Sequence, residues 1–195
     1  MFNKRVKIKE LLLWEPQNPV TGEGTGNEVT VMGWVRSFRN NQFIAINDGS
    51  TNTNLQVVIE LGKYDDEFLK RITTSASLKI AGTVIPSSGK GQKLELKAKD
   101  IEILGDSDAE KYPLQLKNRP TLEYLREKAH LRFRTNTFGS VFRVRHALAY
   151  AVHKFFNDKG FVYMHTPVIT ATDAEGAGEM FKVTTLPFDD TPRNE

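Results

Sequence analysis

The four histidines, His130, His146, His153 and His165, could do acid–base or metal chemistry, but their spacing matches no metal-ligand pattern. His146 and His153 stand seven apart, near one face of a helix, a separation that suits surface or packing roles. No Ser–His–Asp arrangement can be argued from the order of residues. The chain has no cysteine, which excludes disulfides, thiolate zinc sites and cysteine nucleophiles and suits a reducing compartment. Charge says more. The net charge is +3, but Lys111 to Gly160 holds eleven Lys or Arg against three Asp or Glu, and Asp173 to Glu195 holds two against six. A basic middle draws a polyanion such as RNA by releasing condensed counterions. A solvated basic helix and linker would give the same count.

Those residues need elements to hold them. With 195 residues, 39% hydrophobic and 26% charged, the composition is that of an ordinary globular protein of one large or two small domains. No window approaches the ~20 apolar residues that span a bilayer. At the start, Glu10 and Glu15 bracket the short apolar run Leu11–Trp14, too short for a secretory signal, so a cytoplasmic protein is expected. Strand-like runs fill the first half: 29–36, 43–48, 55–59, 77–85, and 93–98 leading into 100–104. Each is alternating or β-branched and bounded by Gly, Asn, Asp or Ser. Between the third and fourth runs, Phe68, Leu69 and Ile72 recur at helical spacing. Five strands with one helix after the third is the order of an OB-fold, a small Greek-key barrel; other small barrels share it.

After Gly105 the pattern changes. Tyr112 to Pro120 carries two prolines and reads as a linker, and 121–126 as a short helix or extended tether. A long amphipathic helix is expected over 137–159, with Phe138, Val141, Phe142, Leu148, Val152, Phe155 and Phe156 in one apolar stripe. Asn136 or Thr137 can cap its start, and Gly160 can take the left-handed conformation after its end. Residues 161–165 read as a strand leading to Thr166-Pro167. This region is too small to close its own core and needs more chain or a second copy to cover the stripe.

Several strings resemble one family. Gly33-Trp34-Val35, Arg39, Phe43-Ile44-Ala45-Ile46-Asn47-Asp48 and Leu55-Gln56-Val57-Val58-Ile59 resemble the anticodon-binding barrel of the class II synthetases for Asp, Asn and Lys. Asn157 to Pro167 resembles their motif 1, a long helix turning at Gly into a strand that ends in a proline. Glu175-Gly176-Ala177-Gly178-Glu179-Met180-Phe181 and His130-Leu131-Arg132-Phe133-Arg134-Thr135-Asn136 resemble the asparagine–tRNA ligase branch; aspartate enzymes usually show Arg-Asp where Gly178-Glu179 stands.

The resemblance implies an OB-fold anticodon-binding domain over 1–110 and a hinge over 111–130. Over 131–195 it implies the start of an α+β class II catalytic domain with an antiparallel sheet. It implies ATP-dependent attachment of asparagine to tRNA(Asn) through an asparaginyl-adenylate, with Mg²⁺ on the phosphates, in a homodimer with no membrane or DNA partner. Phe43 matches the family's stacking aromatic, although by spacing alone it is equally a core residue between its strand neighbours. Gln56 matches the glutamine that reads a central uridine, Arg39 an arginine on the anticodon, and Glu95 a carboxylate reading another anticodon position. On their own, these three read as the ordinary polar faces of strands. Phe155, Gly160 and Pro167 would lie in the dimer interface, and Glu175 and Gly176 in a loop closing over the amino acid. The ATP-binding motifs 2 and 3 do not appear before Glu195, so the expectation is the N-terminal part of a longer enzyme, inactive alone. A non-catalytic OB-fold module and a non-discriminating aspartyl enzyme are the alternatives.

Overall fold

The computed structural model describes residues 5–14, 28–87, 89, 91–115, 120–170 and 184–185. Five strands close into a barrel. β1 (Glu28–Arg39) pairs antiparallel with β2 (Phe43–Asn47), and β2 with β3 (Leu55–Val58). β5 (Leu94–Gly105) runs parallel to β3 and antiparallel to β4 (Ser77–Pro86), which returns to β1. The order β1-β2-β3-β5-β4 is that of the expected OB-fold. A parallel β3–β5 pair needs a crossover, and α2 (Asp66–Arg71) with β4 supplies it. Asp65 caps α2 by accepting from the Phe68 N–H at 2.7 Å.

Strict alternation builds the core. Ile44 and Ile46 of β2, Leu55 and Val57 of β3, Leu78, Ile80 and Val84 of β4, and Leu94 and Leu96 of β5 all point inward and are buried. Their sequence neighbours point outward. The hairpin from β1 to β2 turns through Asn40 and Asn41, both at positive φ, a conformation that asparagine tolerates. Gly33 lets two strands approach closely: a Cβ there would lie 2.6 Å from the Asn47 carbonyl oxygen.

The segment around Leu11–Trp14 is not merely a short apolar run. Ile8–Leu12 forms a helix, α1, and its Ile8 and Leu11 belong to the barrel core. Its N-cap, Lys7, offers no side-chain acceptor. The barrel provides one instead: Asp48 Oδ2 accepts from the Ile8 N–H at 2.9 Å, and Ser50 Oγ from the Lys9 N–H at 3.0 Å. A five-residue helix cannot hold itself in water, so this one depends on those contacts.

Beyond the barrel, α3 (Leu122–Glu127) is capped by Thr121, so the segment is a helix and not an extended tether. A 3-10 turn over Arg132–Arg134 leads into α4 (Asn136–Asp158). The cap of α4 is Thr135, not Asn136 or Thr137. The Thr135 backbone is extended, and its Oγ1 accepts from the Phe138 N–H at 3.3 Å. Gly160 stands at φ +84 after the helix, as its position suggested. Residues 161–165 are not a strand: they form no ladder, because no neighbouring strand among the described residues offers one. The chain divides into two compact units, Met1–Ala147 and Leu148–Glu195. No helix among the described residues is long and apolar enough to cross a membrane.

Candidate nucleic-acid interface

The alternation that sends Ile44 and Ile46 inward sends Phe43, Ala45 and Asn47 to the outer surface of the barrel. On β3 the same rule puts Gln56 and Val58 outside. The register sets Phe43 opposite Val58 and Ala45 opposite Gln56, so Gln56 lies diagonally across from Phe43 on the same face. Arg39 is exposed and pairs with Phe43 across the β1–β2 hairpin. Phe43 is half-buried, which leaves a ring surface open. Sequence spacing alone left Phe43 as a core candidate; the register assigns it to the exterior.

Glu95 completes the face from β5. It pairs with Ile85 of β4, and the residue is only 8% exposed. Three side chains donate to one oxygen, Oε1: Gln92 Nε2 at 2.6 Å, Ser87 Oγ at 2.7 Å and Gln56 Nε2 at 3.2 Å. In the sequence Gln56 and Glu95 stand out separately, with no sign that they touch, and Ser87 and Gln92 do not stand out at all. No periodicity could reveal them, since the contacts join β3, β5 and the β4–β5 connection. Lys93 and Lys97 are exposed at the same edge and add positive charge. A half-open ring, an amide beside it and flanking cations can grip an unstacked base and its phosphate.

A second feature of the Met1–Ala147 unit was unforeseen. A groove of about 840 Å³ is lined by Lys9, Arg36, His130, Arg134, Arg143 and His146 among others, with no carboxylate among the described residues that line it. The Arg134 guanidinium stacks on Trp34, 4.3 Å from the ring centroid. Arg36 donates to the Arg134 carbonyl oxygen. Burial pulls the Arg36 guanidinium below its ordinary value; the nearby Tyr112 opposes this and the Arg134 charge adds to it. The loop after β2 is tied to α4 here: Asn52 Nδ2 donates to Ser140 Oγ at 2.6 Å, and Arg143 Nη2 to the Gly49 carbonyl at 2.6 Å. The basic middle of the sequence therefore partly converges on one surface.

Along α4, Phe138 and Phe142 are half-buried. Arg132 lies over both rings, at 5.0 and 5.5 Å from their centroids, and Phe133 packs edge-on against Phe142. In the second unit the stripe lies open: Leu148, Val152, Phe155 and Phe156 are each about half exposed or more. Pro167 is exposed as well. Glu175 and Gly176 lie outside the described residues. Among the described residues no group of three or more His, Asp or Glu could hold a metal ion.

Comparison with known proteins agrees with this geometry. Residues 29–104 match the OB-fold nucleic acid binding domain family, and residues 121–189 the class II tRNA synthetases for D, K and N. An asparagine–tRNA ligase of Parabacteroides distasonis is 52% identical over 195 residues, covering 98% of this chain and 40% of the relative. One from Bacteroides fragilis is 54% identical over 176 residues, 89% of this chain and 37% of the relative. Over nearly all of its length the chain is similar to asparagine–tRNA ligases. It spans about 40% of the length of these curated relatives. The fold agrees: the asparaginyl-tRNA synthetase of Pyrococcus horikoshii complexed with asparaginyl-adenylate superposes with a TM-score of 0.74 at 20% identity. That match covers 96% of this chain and 41% of that one. The asparagine-type strings around His130 and Glu175 agree with the names of these relatives.

Proposed function

We propose that the barrel binds the anticodon of tRNA(Asn) on the outer face of β2, β3 and β5. In this reading Phe43 stacks on an unpaired base, Gln56 reads the central uridine, Arg39 holds an adjoining base or phosphate, and Glu95 completes the polar wall. The observation that carries the reading is the shared face: a partly exposed aromatic ring lies diagonal to an amide that is already held by a carboxylate. The cationic groove around Arg36 and Arg134 supports it by offering further positive charge to the same polyanion.

The whole protein would attach asparagine to tRNA(Asn) with ATP and Mg²⁺, through asparaginyl-adenylate, in the cytoplasm. No described residue is assigned to ATP or the metal. The domain plan would be a barrel over 1–110, a hinge over 111–130 and catalytic-domain sequence over 131–195. Glu175 and Gly176 would close over the amino acid. The open stripe through Phe155, with Gly160 and Pro167, would meet a second copy of the chain. Large apolar side chains contribute ~1.5–3 kcal/mol each on burial, which favours covering them. The test is a filter-binding titration of the chain, at fixed salt, with tRNA(Asn) and with a transcript whose anticodon is swapped. Tighter binding of tRNA(Asn) is expected, and equal affinity would refute the reading.

A further inference from the structure

Two of the three donors around Glu95, Ser87 and Gln92, have no part in the anticodon reading. A carboxylate only accepts, so the atom of Gln56 that faces it is the amide nitrogen, and the same holds for Gln92. Ser87 Oγ accepts from the Gly89 N–H at 3.0 Å, which leaves its own proton for Glu95. All three bonds fall on Oε1. With its nitrogen committed to Glu95, Gln56 has an amide oxygen to which no described residue donates. A flipped amide would set two acceptors against each other and lose a charge-assisted bond.

We propose that Ser87 and Gln92 are positioning residues that clamp the Glu95 carboxylate and so fix the Gln56 amide with its oxygen toward the bound base. This rests on the anticodon reading above and adds its polarity. An acceptor in that position selects a base with a ring N–H on its pairing edge, as the N3–H of uracil. Cytosine presents a bare ring nitrogen there. The clamp also explains why the β4–β5 connection returns so closely to the strand face: Gly89 sits above the carboxylate, where an added Cβ would lie 3.9 Å from Oε1. A carboxylate held by three neutral donors keeps its place without a salt bridge that a nearby phosphate could disrupt.

The experiment uses the full chain and three anticodon stem-loops, with uridine, N3-methyluridine or cytidine at the central position. The parent should bind the uridine loop at least ~10-fold more tightly than the other two, a difference of ~1.4 kcal/mol. Ser87→Ala combined with Gln92→Leu should reduce that preference to below about threefold, while affinity for the cytidine loop stays within about twofold. Ser87→Thr, which keeps the hydroxyl, should keep the preference. A purely structural role would instead weaken all three loops together. NMR of the Gln56 side-chain NH₂ gives an RNA-free check: one proton should be shifted downfield by its bond to Glu95 in the parent and move back in the double variant. An unchanged uridine preference in the double variant, with Gln56→Ala abolishing it, overturns the clamp and leaves base reading by Gln56 standing. No preference in the parent itself removes both.

Discussion

Replacing Phe43 by Ala separates recognition from folding, because its neighbour Ile44 offers the opposite control. Phe43 is on the outer face and half-buried; Ile44 is wholly inside the barrel. Removing the Phe43 ring takes away one stacking platform, worth ~1–3 kcal/mol, or roughly 5- to 150-fold in Kd. Fully buried Phe→Ala changes cost ~3–5 kcal/mol of stability, and a half-buried ring should cost about half of that. Ile44→Ala leaves the outer face untouched but opens a cavity in the core, at ~2–5 kcal/mol. The assay pairs urea unfolding with tRNA(Asn) titration on the folded fraction of each variant. Phe43→Ala is expected to lose affinity with a modest shift in midpoint, and Ile44→Ala to lose stability with near-parental affinity. The reasoning is refuted if Phe43→Ala binds like the parent, or if Ile44→Ala is the variant that loses affinity.

Three further outcomes follow from the same contacts. Leu11→Ala should lower barrel stability by ~2–5 kcal/mol although it lies outside every strand, since Leu11 is buried in the core; a thermal melt reads this. Asp106 is held below the ordinary carboxylate range by its hydrogen bonds with Arg71, at 2.8 and 2.9 Å, and Asp108 by the backbone N–H groups of Glu110 and Lys111. Groups with a depressed folded-state pKa stabilise the fold above the unfolded value near 3.8. That contribution disappears as pH falls from there through the depressed values. Carboxyl-carbon NMR titration should accordingly find both below the other exposed aspartates, and ordinary values at both would contradict the assignment. Phe155→Asp should shift any dimer toward monomer in sedimentation equilibrium while leaving the barrel's melting unchanged; unaltered association would exclude this face as the contact.

The barrel was legible because its strands obey one rule. Inward β-branched or leucine residues alternate with polar or small ones, and Gly, Asn and Asp mark the turns, so five strands and α2 follow from period and punctuation. The long helix was equally plain, since its apolar residues recur at three and four. What failed to show has a common cause. α1 is too short to have a period and exists because Asp48 and Ser50 cap it from the barrel. The cap at Thr135 depends on a backbone conformation set by the preceding 3-10 turn, and Asn136 and Thr137 also carry an acceptor oxygen suited to capping. Residues 161–165 have strand-like composition, but a strand requires a partner as well as a pattern. At the candidate site, Phe43 could be placed in or out only once its neighbours were known to fill the core. The Ser87–Gln92–Glu95–Gln56 cluster spans 39 residues of sequence between Gln56 and Glu95, and local reading cannot reach across that distance.

The most direct measurement places 5-bromouridine at the central anticodon position of tRNA(Asn), irradiates its complex with the chain, and maps the cross-linked peptide by mass spectrometry. The expected adduct lies on Phe43 or its immediate β2–β3 neighbours. An adduct confined to α2, or to α4 and the second unit, would contradict an anticodon held on the barrel's outer face.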